Sequence, residues 1–338
     1  MFWAVPLLAL FAAPQRSHAL HFDYLAEQNP NGQIVTGTND FDNGNALVLP
    51  VRVFYRDLDY LPDGTSFGSD PGYSAVSPIN VPDGYFALPP STPLSFDMMA
   101  YSIGGAGVSN LWYWNGQGDV NFQPAVGQNF KLSVGNNSIS VNGAAAGVTG
   151  LTIQLTTSTG SMHFHPSYYL TSTSGGVPAE GVYMIAQELR MPGLINSLPY
   201  YTLFVTNAIS DAAYVDAQNW AKSDMVVPGD VNNDGAVNGL DLSMVLGKWL
   251  TKAPAGDNKY LPAGDANYDG AVNGLDLSLV LGHWLQTAAT MNGNVVTTTS
   301  VPEPATFAQA MSAAALVALG ARRAARARRR ALFSPVLV

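Results

Sequence analysis

A twenty-two-residue phrase occurs twice near the C-terminal end of the chain and decides the fold of that region. It reads "GDVNNDGAVNGLDLSMVLGKWL" at residues 229–250 and "GDANYDGAVNGLDLSLVLGHWL" at residues 264–285, with four substitutions between the copies. A duplicated segment of this length indicates a repeated structural unit. One copy is too short to bury an apolar face alone, so we expect the two to share a small core of about 60 residues.

Each copy begins with oxygen-bearing side chains at positions 1, 3, 5, 9 and 12 of a loop and with Gly at position 6. This is the ligand spacing of an EF-hand-type calcium loop, in which position 7 contributes its backbone carbonyl. Carboxylates clustered in this way repel one another without an ion, which predicts metal-coupled folding. The predicted ligands of two Ca²⁺ ions are Asp230, Asn232, Asp234, Ala236, Asn238 and Asp241 in loop 1 and Asp265, Asn267, Asp269, Ala271, Asn273 and Asp276 in loop 2.

A short amphipathic helix is predicted after each loop. Asn238 is a good N-cap, and Asp241 lies in the first turn, where a negative charge is favourable. Pro228 and Pro262 precede the loops, so the chain enters each loop extended rather than as a helix. The apolar residues at helical spacing are Leu242, Val245, Leu246, Trp249 and Leu250 in the first copy and Leu277, Val280, Leu281, Trp284 and Leu285 in the second.

Two calcium loops, each followed by one helix, make residues 229–286 resemble a type I dockerin. The resemblance implies a cohesin-like docking partner. In the scaffold-assembly members of the family, hydroxyl residues at loop positions 10 and 11 and basic residues further along the helix make the contacts. Here those positions are Gly239-Leu240 and Gly274-Leu275, which favours a different docking partner, or one within the same chain, over the cohesin of those members. Leu240 and Leu275 are either contact residues or packing residues, and the matching copies leave either face able to dock.

Residues 20–210 are predicted to form an antiparallel β-sandwich or jelly-roll-like domain. Runs rich in β-branched and aromatic residues alternate with Gly, Pro and Asn clusters. The sequence Gly135-Asn136-Asn137 predicts a hairpin turn, and residues 211–228 are predicted as a short helix and linker. The fold class is therefore mainly β, followed by a small all-α module. The β-rich runs are residues 46–56, 95–102, 110–114, 130–141, 151–158, 181–191 and 200–207.

Two groups of side chains in this domain suggest a binding site. His163 and His165 lie two apart, so on a strand both imidazoles face the same side, as in a metal site. The sequence identifies no third ligand, and two histidines on a polar strand face remain the alternative. Trp112 and Trp114 also share a face and are candidates for stacking on a glycan, with packing in the core as the alternative.

Catalytic residues remain unknown from the sequence. Glycoside hydrolysis requires two facing carboxylates, and Glu is scarce, with Glu27, Glu180 and Glu188 the only ones before the C-terminal tail. Glu188, Asp57 and Asp59 are conceivable acids. No phosphate loop or zincin motif is present in the sequence. We therefore favour a non-enzymatic domain, and an O-glycosyl hydrolase of polysaccharide catabolism if the domain is an enzyme.

Composition narrows the classes of partner. Residues 20–300 carry 8 basic and 23 acidic side chains, a net charge of −15, which disfavours nucleic acid and favours divalent cations. The absence of cysteine excludes disulfides and thiolate metal sites.

Both ends of the chain resemble targeting segments. Residues 1–19 contain a short apolar stretch before Ser17-His18-Ala19, a pattern typical of a signal peptide, with a buried helix as the alternative. Residues 287–300 are a linker. Residues 305–321 are seventeen uncharged residues, ~26 Å of helix and nearly enough to cross a membrane, followed by six arginines.

The sequence Val301-Pro302-Glu303-Pro304, the apolar segment and the arginines make residues 301–330 resemble the PEP-CTERM sorting signal. The resemblance implies processing by an exosortase-type membrane peptidase, with an ordinary membrane anchor as the alternative. The arginine cluster favours a cytoplasmic C-terminus. We expect an exported protein of the cell envelope, surface or matrix that is initially membrane-anchored. Its dockerin attaches a β-sandwich display domain to a docking partner. The alternative is a polysaccharide-binding or polysaccharide-degrading protein attached to a scaffold.

Overall fold

The computed structural model describes residues 22–42, 44–103, 106–232, 235–252, 262, 264–267 and 270–287. The predicted signal peptide, most of the linker and the predicted sorting signal with its apolar segment 305–321 lie outside these ranges. Within the described ranges, no helix has both the length and the apolar character needed to cross a membrane.

The part of the chain that the structure describes is mainly β, as predicted. Three helices follow the strands: α1 (Asp211–Asp224), α2 (Gly239–Gly247) and α3 (Gly274–Gly282). The strands are β1 (Phe22–Gln28), β2 (Ile34–Asp40), β3 (Ala46–Val48), β4 (Val53–Asp57), β5 (Asp59–Tyr60), β6 (Ser66–Gly68), β7 (Tyr73–Ala75), β8 (Pro93–Met99), β9 (Tyr101–Ser102), β10 (Val108–Ser109), β11 (Trp112–Trp114), β12 (Gln123–Pro124), β13 (Gln128–Val134), β14 (Asn137–Val141), β15 (Thr152–Leu155), β16 (Met162–Phe164), β17 (Ser167–Ser172), β18 (Val182–Arg190) and β19 (Tyr200–Val205).

The strands form several sheets. The first has the order β16-β7-β1-β2-β3, and another has the order β14-β13-β17-β6-β5. The largest runs β12-β11-β18-β19-β4, and β8 extends it by pairing with β18 and with β15. Most pairs are antiparallel, but β1 with β7 and β19 with β4 are parallel. The predicted hairpin is confirmed, because Val134 pairs with Asn137.

Two apolar clusters hold the β domain together. One contains Tyr24, Phe54, Phe96, Phe130 and Tyr168, all fully or almost fully buried, on strands of all three large sheets. The other lies where α1 covers the face of the largest sheet. The predicted short helix at the end of the domain is therefore part of its core. Ser210 caps this helix by accepting a hydrogen bond from the Ala213 amide at 3.2 Å.

The duplicated phrases form two loop-helix units around their own core. Their shared buried side chains are Val237, Val245, Ala266, Val272 and Val280. The units are also joined by backbone hydrogen bonds. The Leu250 amide after α2 donates to the Val272 carbonyl at 2.9 Å, and the Leu285 amide after α3 donates to the Val237 carbonyl at 2.9 Å. Each loop is thus fixed by the end of the other unit's helix, as expected for a repeat that is complete only as a pair.

Candidate functional site

The described carboxylates of the two calcium-type loops are buried. Asp230 and Asp265, at loop position 1, are 2% and 4% exposed, and Asp241 and Asp276, at position 12, are fully buried. Burying a carboxylate is costly unless hydrogen bonds or a cation compensate for the lost water. The hydrogen bonds of these four residues therefore show how each loop is organised.

The aspartate at position 12 joins the start of the loop to the start of the helix. Asp241 Oδ1 accepts from the amides of Val231 at 2.8 Å and Asn232 at 3.1 Å, and Oδ2 accepts from the Asn238 amide at 2.8 Å. Asp276 makes the same three bonds in the second copy, to the amides of Ala266, Asn267 and Asn273. The helix start is thereby drawn onto the loop, which suits the short side chain of Asp.

The aspartate at position 1 closes the loop in the middle. Asp230 Oδ2 accepts from the Gly235 amide at 2.8 Å, and Asp265 Oδ2 accepts from the Gly270 amide at 2.8 Å. Both glycines have positive φ, 90° and 86°, a conformation that is strained for a residue with a Cβ. Glycine at position 6 therefore performs the predicted role.

The asparagine at position 9 caps the helix, as predicted. Asn238 Oδ1 accepts from the Leu240 amide at 2.8 Å, and its Nδ2 donates to the Ala236 carbonyl at 3.2 Å. Asn273 and Ala271 repeat this arrangement. These hydrogen bonds link positions 1, 3, 7, 9 and 12 within each loop, while position 5, Asp234 and Asp269, lies outside the described residues. The carboxylate, amide and carbonyl oxygens at these positions are of the kinds that Ca²⁺ prefers as ligands.

The prediction that each helix has an apolar face of five residues is wrong in part. Val245 and Val280 are buried, whereas Leu246, Trp249 and Leu250 are exposed, as are Leu281 and Leu285. For Trp249 and Leu250 the reason is that α2 ends at Gly247 and Leu250 takes φ +62°, so the helical periodicity does not continue to the end of the phrase. Leu240 and Leu275 are also exposed, at 60% and 61%, which favours contact with a partner over packing.

The two predicted histidines lie together, with a third residue that the sequence did not identify. His163 on β16 and His165 just after it approach Asp23 on β1, and one ligand atom from each lies within 4.8 Å of the others. The sequence feature that could have identified Asp23 is an acidic residue within the otherwise apolar strand "FDYLAEQ". The sheet order β16-β7-β1 creates this proximity, and the sequence pattern alone does not predict that order.

The glycan-stacking prediction for Trp112 and Trp114 is wrong. The two side chains do share a face, but they are 0% and 3% exposed and belong to the cluster under α1. The Trp112 indole nitrogen donates to the Ser109 carbonyl at 3.0 Å. A ring enclosed in this way has no face left for a sugar.

The glutamates of the β domain accept hydrogen bonds from other parts of the domain. Glu180 accepts from Tyr60 and from the Ala208 amide, and Glu188 accepts from Asn196. Burial raises the pKa of Glu188, and Asn196 lowers it. Glu27 is fully buried, and burial raises its pKa to about 8 although the Val76 amide donates to it at 2.7 Å.

Comparison with known proteins gives one informative match. No curated protein matches the chain. Among solved structures, the chain is similar to a type II cohesin-X-dockerin complex from Acetivibrio cellulolyticus, at 17% identity over 49% of this chain and 86% of that one, TM-score 0.16. It is also similar to CfaE, the adhesive subunit of CFA/I fimbria of enterotoxigenic Escherichia coli, at 11% identity over 47% and 46%, TM-score 0.20.

Neither structural similarity is close enough to support an argument about this chain. Residues 228–283, however, match the family model of the type I dockerin domain. The match covers both loops and both helices described above. The segment with the two loop-helix units is therefore similar to type I dockerin domains, and we call residues 228–287 the dockerin module.

Proposed function

We propose that the dockerin module, residues 228–287, binds two Ca²⁺ ions and in that state docks the chain onto a cohesin-type domain. The observation that carries the proposal is the pair of closed loops, each with buried aspartates at positions 1 and 12. Because each loop is fixed by the other unit's helix end, filling the two loops orders the whole module.

The docking surface is apolar and duplicated. Three exposed leucines of the first unit, Leu240, Leu246 and Leu250, have exposed counterparts in the second. Exposed apolar side chains concentrated in one small module favour a protein partner. Leucine at loop position 11, in place of a hydroxyl residue, favours a cohesin whose contact face is apolar there. The matching units support two equivalent orientations of docking.

Export and surface attachment are part of the same proposal. The apolar stretch in residues 1–19 and the Pro-Glu-Pro, apolar and arginine pattern in residues 301–330 support transfer across a membrane and processing by an exosortase-type peptidase. The dockerin then displays the β domain on a partner outside the cytoplasm. Mass spectrometry of the protein isolated from its host tests this proposal. The mature protein is expected to have its termini near residues 20 and 301.

Calcium stoichiometry tests the metal part of the proposal. Isothermal titration of the stripped full chain with Ca²⁺ is expected to give two sites. D230A and D265A each remove a position-1 ligand and are expected to leave one. Asp216 is exposed on α1, so D216A is the matched control and keeps two. Uptake of two ions by D230A would contradict the assignment of loop 1.

Leucine variants test the docking part. On immobilised cohesin domains in excess Ca²⁺, the double variant Leu240→Ser with Leu275→Ser is expected to bind at least about tenfold more weakly, since each buried leucine contributes about 1.5–3 kcal/mol. Each single variant keeps one intact unit and is expected to bind nearly as well as the parent chain. Ile79→Ser, at a 91% exposed position of the β domain, is the control. Full binding by the double variant would exclude this surface.

A further inference from the structure

We propose that Asp23, His163 and His165 form a second metal site, in the β domain, for a divalent transition metal with Zn²⁺ as the preferred ion. The site is independent of the dockerin loops. Its ligands come from β1, from β16 and from the residue after Phe164 that begins the turn into β17.

The spacing of the ligand atoms fits one small cation. His163 Nε2 lies 2.9 Å from His165 Nε2 and 2.9 Å from Asp23 Oδ2, and His165 Nε2 lies 3.8 Å from Asp23 Oδ1. Ligands about 2.0–2.1 Å from a tetrahedral Zn²⁺ are about 3.3 Å apart. The distances from His163 are shorter than that value, and the distance from His165 is to the other carboxylate oxygen of Asp23. One ligand atom from each residue lies within 4.8 Å of the others, so a metal can be accommodated with side-chain adjustments.

Surrounding residues prepare His165 as a ligand. Its Nδ1 lies 3.0 Å from the Ser69 carbonyl and 3.0 Å from Asp70 Oδ1. Both neighbours are acceptors, which favours the tautomer with the proton on Nδ1 and the lone pair on Nε2, facing the cluster. Asp70 is itself held by Arg56 at 2.6 Å. A carboxylate on the far nitrogen of a histidine is the usual support of a metal-bound imidazole.

The site is closed on the side of Asp23 and open on the side of His163. The Asp23 carboxylate is fully buried and accepts from the Gly72 amide at 2.9 Å. A Cβ on Gly72 would lie 2.7 Å from Asp23 Oδ1 and 2.9 Å from His165 Cε1, so only glycine leaves room for the cluster. The His163 side chain is 49% exposed and stacks on Phe41. Metal can enter past His163, and a fourth position remains for water or a small anion.

The ligand set selects the class of metal. Two imidazoles and one carboxylate suit Zn²⁺ and the late first-row ions rather than Ca²⁺ or Mg²⁺, which prefer oxygen. The Irving–Williams order ranks Mn²⁺ and Fe²⁺ lowest at such a site and Cu²⁺ above Zn²⁺. Zn²⁺ is the preferred ion because it takes tetrahedral sites, whereas Cu²⁺ prefers a tetragonal arrangement. This set also contrasts with the all-oxygen dockerin loops, so excess Ca²⁺ can saturate those loops without competing here.

Metal binding by the full chain in excess Ca²⁺ tests the proposal. Titration with Zn²⁺ against a chromophoric chelator is expected to give one site, and Co²⁺ is expected to give visible absorption bands of a low-coordinate nitrogen-oxygen site. The melting temperature of the β domain is expected to rise by about 5–10 °C at a Zn²⁺ concentration a hundred times Kd. Mn²⁺ and Fe²⁺ are expected to bind more weakly in the same competition.

Variants separate this site from others. H163Q changes a half-exposed residue and is expected to fold normally, to lose the Zn²⁺ equivalent and to abolish the Co²⁺ bands. D23N and H165Q are expected to do the same if their melting temperatures show a folded domain. H283Q, which changes a dockerin histidine outside the cluster, is the matched control and keeps both signals. Retention of the Zn²⁺ equivalent by folded H163Q, or its loss in H283Q, would overturn the proposal.

Discussion

The dockerin loops and the Asp23-His163-His165 cluster gather their ligands in opposite ways. Each loop takes its oxygens from twelve consecutive residues, whereas the cluster joins the first described strand to a distant one through the sheet order β16-β7-β1. The loops carry several carboxylates, and we expect them to need an ion for their order. The cluster lies on a β-sheet whose backbone hydrogen bonds form without a metal ion. We therefore expect metal to determine whether the dockerin folds and only to adjust the stability of the β domain.

Removal of calcium is the strongest test of this difference. Excess chelator is expected to abolish the helical signal of α2 and α3 and the dockerin's unfolding transition, because uncompensated carboxylates then repel each other. The β-domain transition is expected to persist. Circular dichroism and calorimetry with and without chelator measure both.

Chelators remove both kinds of metal, so H163Q serves as the reference in which the cluster is already disabled. The dockerin of H163Q is expected to respond to chelator as in the parent chain. An unchanged dichroism spectrum and melting temperature in excess chelator would mean that the loops fold without an ion.

A buried carboxylate of the β domain gives the next largest effect, and it depends on pH rather than on metal. Glu27 has a pKa of about 8 because burial disfavours its charge, so the folded state keeps a proton that the unfolded state loses near pH 4.5. The free energy of unfolding of the β domain is then expected to fall as pH rises between those values, by about 4 kcal/mol in all.

The variant E27Q mimics the protonated form and isolates this contribution. Denaturant unfolding in excess Ca²⁺ at pH 5 and at pH 8 is expected to show a smaller loss of stability for E27Q than for the parent chain. The dockerin's carboxylates are the same in both proteins and cancel in the difference. Identical pH profiles would show that Glu27 ionises freely in the folded domain.

The same contrast explains what could be predicted from the sequence. The position-6 glycines and the Asn238 cap follow from spacing because their hydrogen bonds within the loop are local, and the predicted calcium ligands rest on the same local spacing. The length of each helix was harder to predict, because the Leu250 amide bonds to the Val272 carbonyl of the other unit instead of continuing α2.

In the β domain, the alternation of side chains along a strand correctly placed Trp112 and Trp114 on one face. It could not show which face of the strand is exposed to solvent. Strand β11 lies inside a sheet whose face is covered by α1. Asp23 was missed for a related reason. An acid in an apolar strand indicates a buried polar site, but its partners are set by which strands become neighbours.

The smallest effect we predict distinguishes two kinds of glycine within the repeat. Gly229 has φ +84°, and a Cβ there would lie 3.0 Å from the Leu279 carbonyl oxygen of α3. Gly264, at φ +100°, would meet the Met244 carbonyl oxygen of α2 at 2.9 Å. Alanine at either site adds backbone strain and pushes the units apart, so G229A and G264A are each expected to destabilise the calcium-loaded dockerin by about 2–3 kcal/mol.

The chain supplies its own control for this effect. Gly239 and Gly274 begin α2 and α3, and a Cβ on either meets nothing within 4 Å. G239A and G274A are therefore expected to leave the dockerin as stable or up to about 1 kcal/mol more stable, because alanine is the better helix former. Calorimetry in excess Ca²⁺ ranks the four variants. Equal stability of G229A and G239A would mean that close packing between the units does not hold the two loops in place. The dockerin loops would then differ from the β-domain cluster only in how strongly each depends on its metal ion.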